Sequence, residues 1–268
     1  MKAILFDEFG GPEVLHEGEA AMPTPGPGQV RVRVAVAGVN PIDVKIRAGG
    51  MEAIFPTTLP AIPGADFAGV VDAVGEGVSD VSTRAEVFGW AEGGSYAEYT
   101  LCSRFAVKPA DLSWEQAAAI PVAAEAAQRG LDQLDVQKGE TLLIHGAAGA
   151  VGSIAVQLAV AKGLKVIGTA GEANHDFVRS LGATPVTYGD GLVQRVQAVV
   201  PLGVDAVLDA AGKGALPASI ELRGGTSRIL TLADDAAASL GIPFSSTGPD
   251  GPSIQVLKDV GDASPRAI

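Results

Sequence analysis

The stretch Gly146-Ala147-Ala148-Gly149-Ala150-Val151-Gly152 offers a ligand little besides backbone. It follows the short apolar run Thr141-Leu142-Leu143-Ile144-His145 and leads into Ser153-Ile154-Ala155-Val156-Gln157-Leu158-Ala159, whose apolar spacing is helical. Strand, glycine loop and helix in this order suit a dinucleotide pyrophosphate. The N–H groups of a first helical turn point outward with the positive end of the helix dipole, so phosphate binds there without a dedicated cation. Gly149 falls where backbone must approach the pyrophosphate closely, and Gly152 where the helix must pack tightly on the strand. Ala147 takes the place of the first glycine of G-x-G-x-x-G, so the pattern is a variant. Ala148, Gly149, Ala150, Val151 and Gly152 are the residues expected against the phosphates.

The identity of the dinucleotide turns on a second position. A site for NADH usually carries Asp or Glu about 20 residues beyond the loop, at the tip of the second strand, to hold the ribose 2′-OH. Here that strand ends Ile167-Gly168-Thr169-Ala170-Gly171, with no acid at its tip. Small residues leave room for a 2′-phosphate, and Thr169, Asn174, His175 and Arg179 are candidate donors. Glu172 opposes this reading if it points inward. The balance favours NADPH over NADH.

The elements that must position these residues are legible in outline. A chain of 268 residues, 47% apolar and 19% charged, is long enough for one large or two ordinary domains. Up to about Pro121 the pattern is of strands and turns. Val30-Arg31-Val32-Arg33-Val34-Ala35-Val36 alternates as a half-exposed strand does, and Gly69 to Gly75 and Glu86 to Gly89 read as further strands. From Ser113, whose spacing to Gln116 predicts a helix cap, the pattern changes. Strand-like Lys165–Thr169, Thr184–Tyr188, Ala206–Asp209 and Arg228–Leu232 alternate with helical 173–181 and 192–200, which predicts an α/β fold with parallel strands and helical crossovers.

Composition excludes several function classes. A formal net charge of -12 with no basic run argues against a nucleic-acid partner. Cys102 is the single cysteine, so neither an intrachain disulfide nor a multi-cysteine metal site can form. Met1 to Glu8 lacks the long apolar core of a signal peptide, and no segment approaches the roughly 20 apolar residues of a membrane span. A soluble, cytoplasmic protein with no membrane partner is expected.

Four further stretches, with the glycine loop, carry a resemblance. They are Gly38-Val39-Asn40-Pro41-Ile42-Asp43, Pro63-Gly64-Ala65-Asp66-Phe67-Ala68-Gly69, Gly93-Gly94-Ser95-Tyr96-Ala97-Glu98-Tyr99 and Ile120-Pro121-Val122-Ala123. In their order and spacing they resemble the zinc-independent medium-chain dehydrogenase/reductases, in particular the NADPH:quinone oxidoreductase (zeta-crystallin-like) family, from Met1 to about Ser246. The resemblance implies a GroES-like substrate domain over 1–120 and a Rossmann NADPH-binding domain over 121–250. It makes 251–268 a short remnant of the return to the substrate domain, with Ser253–Lys258 starting a helix and coil from Gly261. Family chains continue several dozen residues further, so the C-terminus reads as truncated.

The resemblance also assigns roles. Asn40 and Asp43 fall on a turn at the cleft, Asn40 near the nicotinamide ribose or substrate and Asp43 orienting that network; the competing reading of Asp43 is a plain turn and helix cap. Tyr188 is implied in adenine contact, with a simple strand-end aromatic as the alternative. Asp66 and Tyr96 are expected to hold the β domain together, His145 to be a buried strand-end residue, and Cys102 to pack in the core. Zinc-dependent relatives place Cys where this chain has Asn40, and a His-Glu pair within Gly64-Ala65-Asp66, so no metal is expected. Family members often carry Thr-Ala-Tyr where this chain reads Ala126-Ala127-Gln128.

The implied function is NADPH-dependent, zinc-free transfer of hydride to a quinone or an α,β-unsaturated carbonyl. The alternatives are an enoyl or alkenal reductase of the same family, or an NADPH-binding protein without turnover. The resemblance further implies a homodimer, formed by edge strands near Arg228–Leu232 and Pro243–Ser246.

Overall fold

The computed structural model describes residues 1–246 and 251–262, with side chains through 260. The chain divides into two compact units. One comprises Met1–Val122 together with the C-terminal helix; the other begins at Ala123 and ends before that helix.

The first unit is built from antiparallel strands. β1 (Lys2–Leu5) pairs with β2 (His16–Glu19). β3 (Val30–Ala37) keeps Val30 and Val32 fully buried while Arg31 and Arg33 face outward, as its alternation requires. α1 (Pro41–Arg47) starts on Pro41, whose fixed φ suits a first helical position. β4 (Asp66–Val74), β5 (Glu86–Trp90), β6 (Tyr99–Cys102) and β7 (Phe105–Val107) complete a sheet in the order β6-β3-β4-β5-β7. Val30, Val32, Phe67, Val71, Val87 and Cys102 form its core. α2 (Trp114–Ala118) carries the predicted cap: Gln116 N donates to Ser113 Oγ at 3.2 Å, and Ser113 N to Gln116 Oε1 at 3.0 Å. α3 (Pro121–Gln133) follows and carries the chain into the second unit.

The second unit is a parallel sheet wrapped by helices. Its elements are β8 (Thr141–His145), α4 (Ala150–Ala161), β9 (Lys165–Thr169), α5 (His175–Ser180), β10 (Thr184–Val186), α6 (Leu192–Val199), β11 (Ala206–Asp209), α7 (Leu216–Arg223) and β12 (Ile229–Thr231). The sheet order β10-β9-β8-β11-β12 is the 3-2-1-4-5 arrangement of a doubly wound fold. Leu143, Ile167, Val207 and Ile229 from its strands pack with Val196 and Leu216 from its helices.

Several boundaries differ from the sequence pattern. Residues Glu172–Asn174 form a 3-10 turn, so α5 starts at His175 rather than at Ala173. β10 ends at Val186, which leaves Tyr188 on the following loop and not at a strand end. β12 is not bare on its outer side: Thr231 N donates to Pro243 O at 3.2 Å and Ser245 N to Thr231 O at 2.9 Å. The sheet edge is therefore the 243–245 segment. At the C-terminus α8 (Ile254–Asp262) carries its helix through Gly261, where coil was expected; residues 263–266 of that expectation lie outside the described residues. Among the described residues, no helix is long and apolar enough to cross a membrane.

Candidate functional site

In a doubly wound sheet, ligands bind beyond the carboxyl ends of the strands where the strand order reverses, here between β8 and β11. Gly146 leaves β8 with φ +75°, and a Cβ placed on it would lie 3.2 Å from the Cβ of Ala211 in the loop after β11. Ala147 N donates to Thr169 O at 2.9 Å, and Gly149 N donates to Gly146 O at 2.9 Å. These bonds fold the loop back on itself before α4 begins.

Gly149 is the N-cap of α4 and supplies no side chain to satisfy the first turn. The bond from Ser153 N to Gly149 O, 2.8 Å, opens the helical ladder, so the amides of Ala150, Val151 and Gly152 precede it without intrahelical acceptors. Gly149 and Ala150 are exposed, and Ala148 and Val151 half-buried. Such a cradle of amides on a 12-residue helix fits a pyrophosphate. The constraint at Gly152 differs from the expected one. Its Cβ would sit 2.1 Å from Gly146 O, so glycine is required by the loop's own carbonyl rather than by the strand.

Ala147 is tolerated for a reason the loop sequence does not reveal. Its methyl is fully buried against Gly168 of β9, where a Cβ would come within 2.6 Å of it. The glycine missing from the motif has in effect moved to the neighbouring strand.

Thr169 departs from its expected role as a phosphate donor. It is 2% exposed, and its Oγ1 accepts from Gly146 N at 3.2 Å and lies 3.3 Å from His145 Nδ1. Strand alternation turns it into the protein, where it holds the loop. His145 is buried as expected, its Nε2 2.9 Å from Ser219 Oγ, and burial keeps its imidazole neutral by pulling its pKa down.

The remaining candidates gather at the tip of β9. Asn174 is exposed in the 3-10 turn. His175 Nε2 donates to Ala170 O at 3.3 Å. Tyr188 is 62% exposed and its hydroxyl would lie 3.6 Å from a Cβ on Gly171, so the ring stands beside the strand tip despite sitting on the next loop. Arg179 is turned away in an ion pair with Asp176 at 2.6 Å. Glu172 is exposed. Arg195 has no distinctive sequence context, yet its guanidinium donates to the carbonyls of Thr187, Tyr188, Gly189 and Asp190 at 2.7–3.2 Å and fixes the Tyr188 loop.

In the first unit a buried polar cluster surrounds Asn40. Asn40 Nδ2 donates to Asp66 Oδ2 at 2.8 Å, and Val122 N, in the first turn of α3, donates to Asp66 Oδ1 at 3.1 Å. Asp43 Oδ2 accepts from Asn40 N at 2.8 Å and from the Tyr96 hydroxyl at 3.3 Å, while its Oδ1 accepts from Ala65 N at 3.1 Å. With both oxygens engaged and 6% exposure, Asp43 closes the capping box of α1, which is its competing reading, and does not face a ligand. Burial pushes the Asp66 carboxyl up to about 7, with the Asp43 charge adding to the shift, and raises Asp43 in the same direction. The Tyr96 hydroxyl is likewise pushed up, by burial and by Asp43.

Comparison with known proteins places these features in a family. The model of the alcohol dehydrogenase GroES-like domain matches residues 26–111, and that of the zinc-binding dehydrogenase matches residues 150–240. The structure of a quinone oxidoreductase from Coxiella burnetii superposes with a TM-score of 0.82 at 32% identity, over 98% of this chain and 86% of that one. The chain belongs to the medium-chain dehydrogenase/reductases, in their quinone oxidoreductase branch. Among curated members of this family, the quinone oxidoreductase of Pongo abelii is 41% identical over 192 residues, or 69% of this chain. The NADPH-dependent alkenal/one oxidoreductase of Arabidopsis thaliana chloroplasts is 35% identical over 227 residues, or 79% of this chain. The chain spans about 58% of the length of both of these relatives.

Membership accounts for the parallel sheet with its dinucleotide loop and for the antiparallel unit that carries Asn40. Against the zinc-dependent members the arrangement is informative. Asn40, at the position where those members have Cys, is hydrogen-bonded to Asp66, in the segment where they carry a His-Glu pair. Among the described residues, no group of three or more His, Cys, Asp or Glu is arranged to hold a metal. In α3, where many members carry Thr-Ala-Tyr, Gln128 Nε2 donates along its own helix to Asp132 Oδ1 at 2.7 Å.

Proposed function

We propose that the chain is an NADPH-dependent, zinc-free reductase of quinones or conjugated carbonyls. The observation that carries this reading is the pairing of Asn40, at the position where the zinc-dependent relatives place Cys, with Asp66. An amide donor and a carboxylate acceptor satisfy one another there, and neutral Asn is a poor ligand for zinc. Without a Lewis acid, the suitable acceptor is one whose carbon is already electrophilic.

NADPH, when bound, supplies a hydride. The chain's own contribution is positional. The amides of Ala148, Ala150, Val151 and Gly152 would hold the pyrophosphate, with Gly149 N kept on Gly146 O and with Gly146 and Gly152 fixing the loop's shape. Asn174 and His175 meet the 2′-phosphate and Tyr188 meets the adenine. Asn40 donates or accepts a hydrogen bond at the reacting end, held by Asp66 from one side and by Asp43 through its backbone. Addition of hydride to carbon would leave the electron pair on the acceptor oxygen, where a solvent proton would complete the reduction. The single Cys102, buried as a thiol whose pKa is raised by burial, suits a cytoplasmic enzyme. A homodimer is proposed through the edge at 243–245, where the backbone of Phe244 faces away from Thr231.

NADPH oxidation followed against a quinone panel and an enone panel tests the reading. Turnover with quinones supports it as stated, and turnover with enones alone makes the chain an alkenal-type reductase. Cofactor binding without oxidation by any acceptor overturns both enzyme readings. Activity abolished by a chelator overturns the zinc-free one.

A further inference from the structure

The hydroxyl, imidazole and amide groups behind the glycine loop admit a single assignment of protons. Ser219 Oγ lies 2.8 Å from Ala215 O, and a carbonyl only accepts, so the one hydroxyl proton of Ser219 goes there. The oxygen of Ser219 must then accept from His145 Nε2, 2.9 Å away. His145 therefore carries its proton on Nε2, and its Nδ1 is a bare acceptor. Among the described residues, the proton placed to reach Nδ1 is that of Thr169, whose Oγ1 is 3.3 Å away. With its proton so committed, Thr169 Oγ1 accepts the Gly146 N–H at 3.2 Å.

Every one of these side chains is at most 2% exposed. Water has no access to replace a broken link. The chain ends on the amide of the residue that turns out of β8 with φ +75° and whose carbonyl is contacted by Gly149 N and crowded by Gly152.

We propose that His145 is a positioning residue for dinucleotide binding: its imidazole, in the Nε2–H form, orients the Thr169 hydroxyl so that it fixes Gly146 and with it the pyrophosphate loop. The inference rests on the reading of that loop as a dinucleotide site. The imidazole touches no ligand; it acts through Thr169. Removing it leaves Thr169 free to rotate and give its proton elsewhere, and the Gly146 amide loses a defined acceptor. The loss falls on pyrophosphate contacts alone, because the adenosine end is held by separate residues at the β9 tip.

The test uses the full-length chain and two probes, NADPH and 2′-AMP, which has the adenosine phosphate but no pyrophosphate. Affinities are read by fluorescence titration for His145→Phe, Thr169→Val and Thr169→Ser, with thermal melts confirming folding. Loss of one buried bond predicts a Kd for NADPH raised by about ten-fold in His145→Phe and Thr169→Val, recovery to within about three-fold in Thr169→Ser, and 2′-AMP affinity changed by less than about two-fold throughout. Should His145→Phe not fold, Ser219→Ala carries the same expectation at about three-fold, since it removes one link farther from the loop. NADPH affinity unchanged in the folded variants, or an equal loss for both probes, overturns the proposal. Failure of the unaltered protein to bind NADPH is a different result, one that overturns the dinucleotide reading itself.

Discussion

The methyl of Ala147 occupies the space that Gly168 leaves open in β9, with a Cβ on Gly168 coming within 2.6 Å of it. One pair of positions thus shares a requirement for a single methyl. Gly168→Ala is expected to destabilise the chain by about 1–3 kcal/mol through overpacking. Adding Ala147→Gly should return part of that loss, with a coupling of about 0.5–3 kcal/mol in a urea-melt double-mutant cycle. Additive effects would show that the two methyls do not compete for one space.

Two buried groups pull stability in opposite directions as pH changes. The Asp66 carboxyl, raised to about 7 from 3.8, binds its proton more readily in the folded chain, so its contribution falls as pH rises through that window. Asp43 beside it acts in the same sense. His145 is pulled down from 6.5 toward about 4 by burial, against the field of Asp209, so it binds fewer protons when folded and its contribution is lost as pH falls. Each single group is limited to a slope of about 1.4 kcal/mol per pH unit. Asp66→Asn should therefore steepen the rise of stability with pH between about 4 and 7, while His145→Gln should unmask the fall. Thermal midpoints measured across that range decide it; profiles parallel to that of the unaltered chain would count against both assignments.

The tip of β9 separates the two cofactors. His175→Ala removes the Nε2 donor, now on Ala170 O, which on turning to a phosphate forms a bond worth about 1.5–3 kcal/mol, so KM for NADPH should rise about ten-fold or more with KM for NADH little changed. Tyr188→Ala, which removes ring contact common to both, should weaken both by about 0.5–1.5 kcal/mol. An unchanged NADPH preference in His175→Ala would place the 2′-phosphate elsewhere.

Asn40 tests the cluster in the antiparallel unit. Asn40→Asp sets a carboxylate against Asp66 where an amide now donates at 2.8 Å. The two acids can be accommodated only by sharing a proton. Destabilisation of about 1–3 kcal/mol is expected at pH 8, with recovery as pH falls below about 6. Asn40→Ala, with no new charge, should lower kcat about ten-fold and, by removing a hydrogen bond that holds the Asp66 carboxyl down, extend the fall of stability to higher pH without the loss at pH 8 that a second carboxylate brings. Equal melts for Asn40→Asp at both pH values would remove Asp66 from contact with this position.

Much of the dinucleotide unit was legible in the chain. β8, β9 and β11 begin and end where apolar runs meet glycines or charges, because buried parallel strands leave a continuous apolar signature. Short or capless elements were not: α7 starts from Ala215 without a capping side chain, and the 3-10 turn at Glu172–Asn174 has no distinctive composition. The candidate site divides in the same way. The loop glycines announce themselves by type and spacing, whereas the bond from Asn40 to Asp66 spans 26 residues and that from His145 to Ser219 spans 74. Nothing local encodes those partners; the strand registers bring them together. Thr169 looked available because its residue type can donate, and only the facing of β9 shows that it is spoken for.

The hold of Arg195 on the carbonyls from Thr187 to Asp190 bears on how fast and how tightly a ligand can engage. A loop of this kind left free would have to be ordered by each incoming ligand, at a conformational-entropy cost of about 1–2 kcal/mol for every residue fixed. Here that ordering has already been done at folding. Whatever ring comes to rest on Tyr188 meets a surface set in advance, so its binding free energy is not drawn down by loop closure, and association need not wait for a rearrangement.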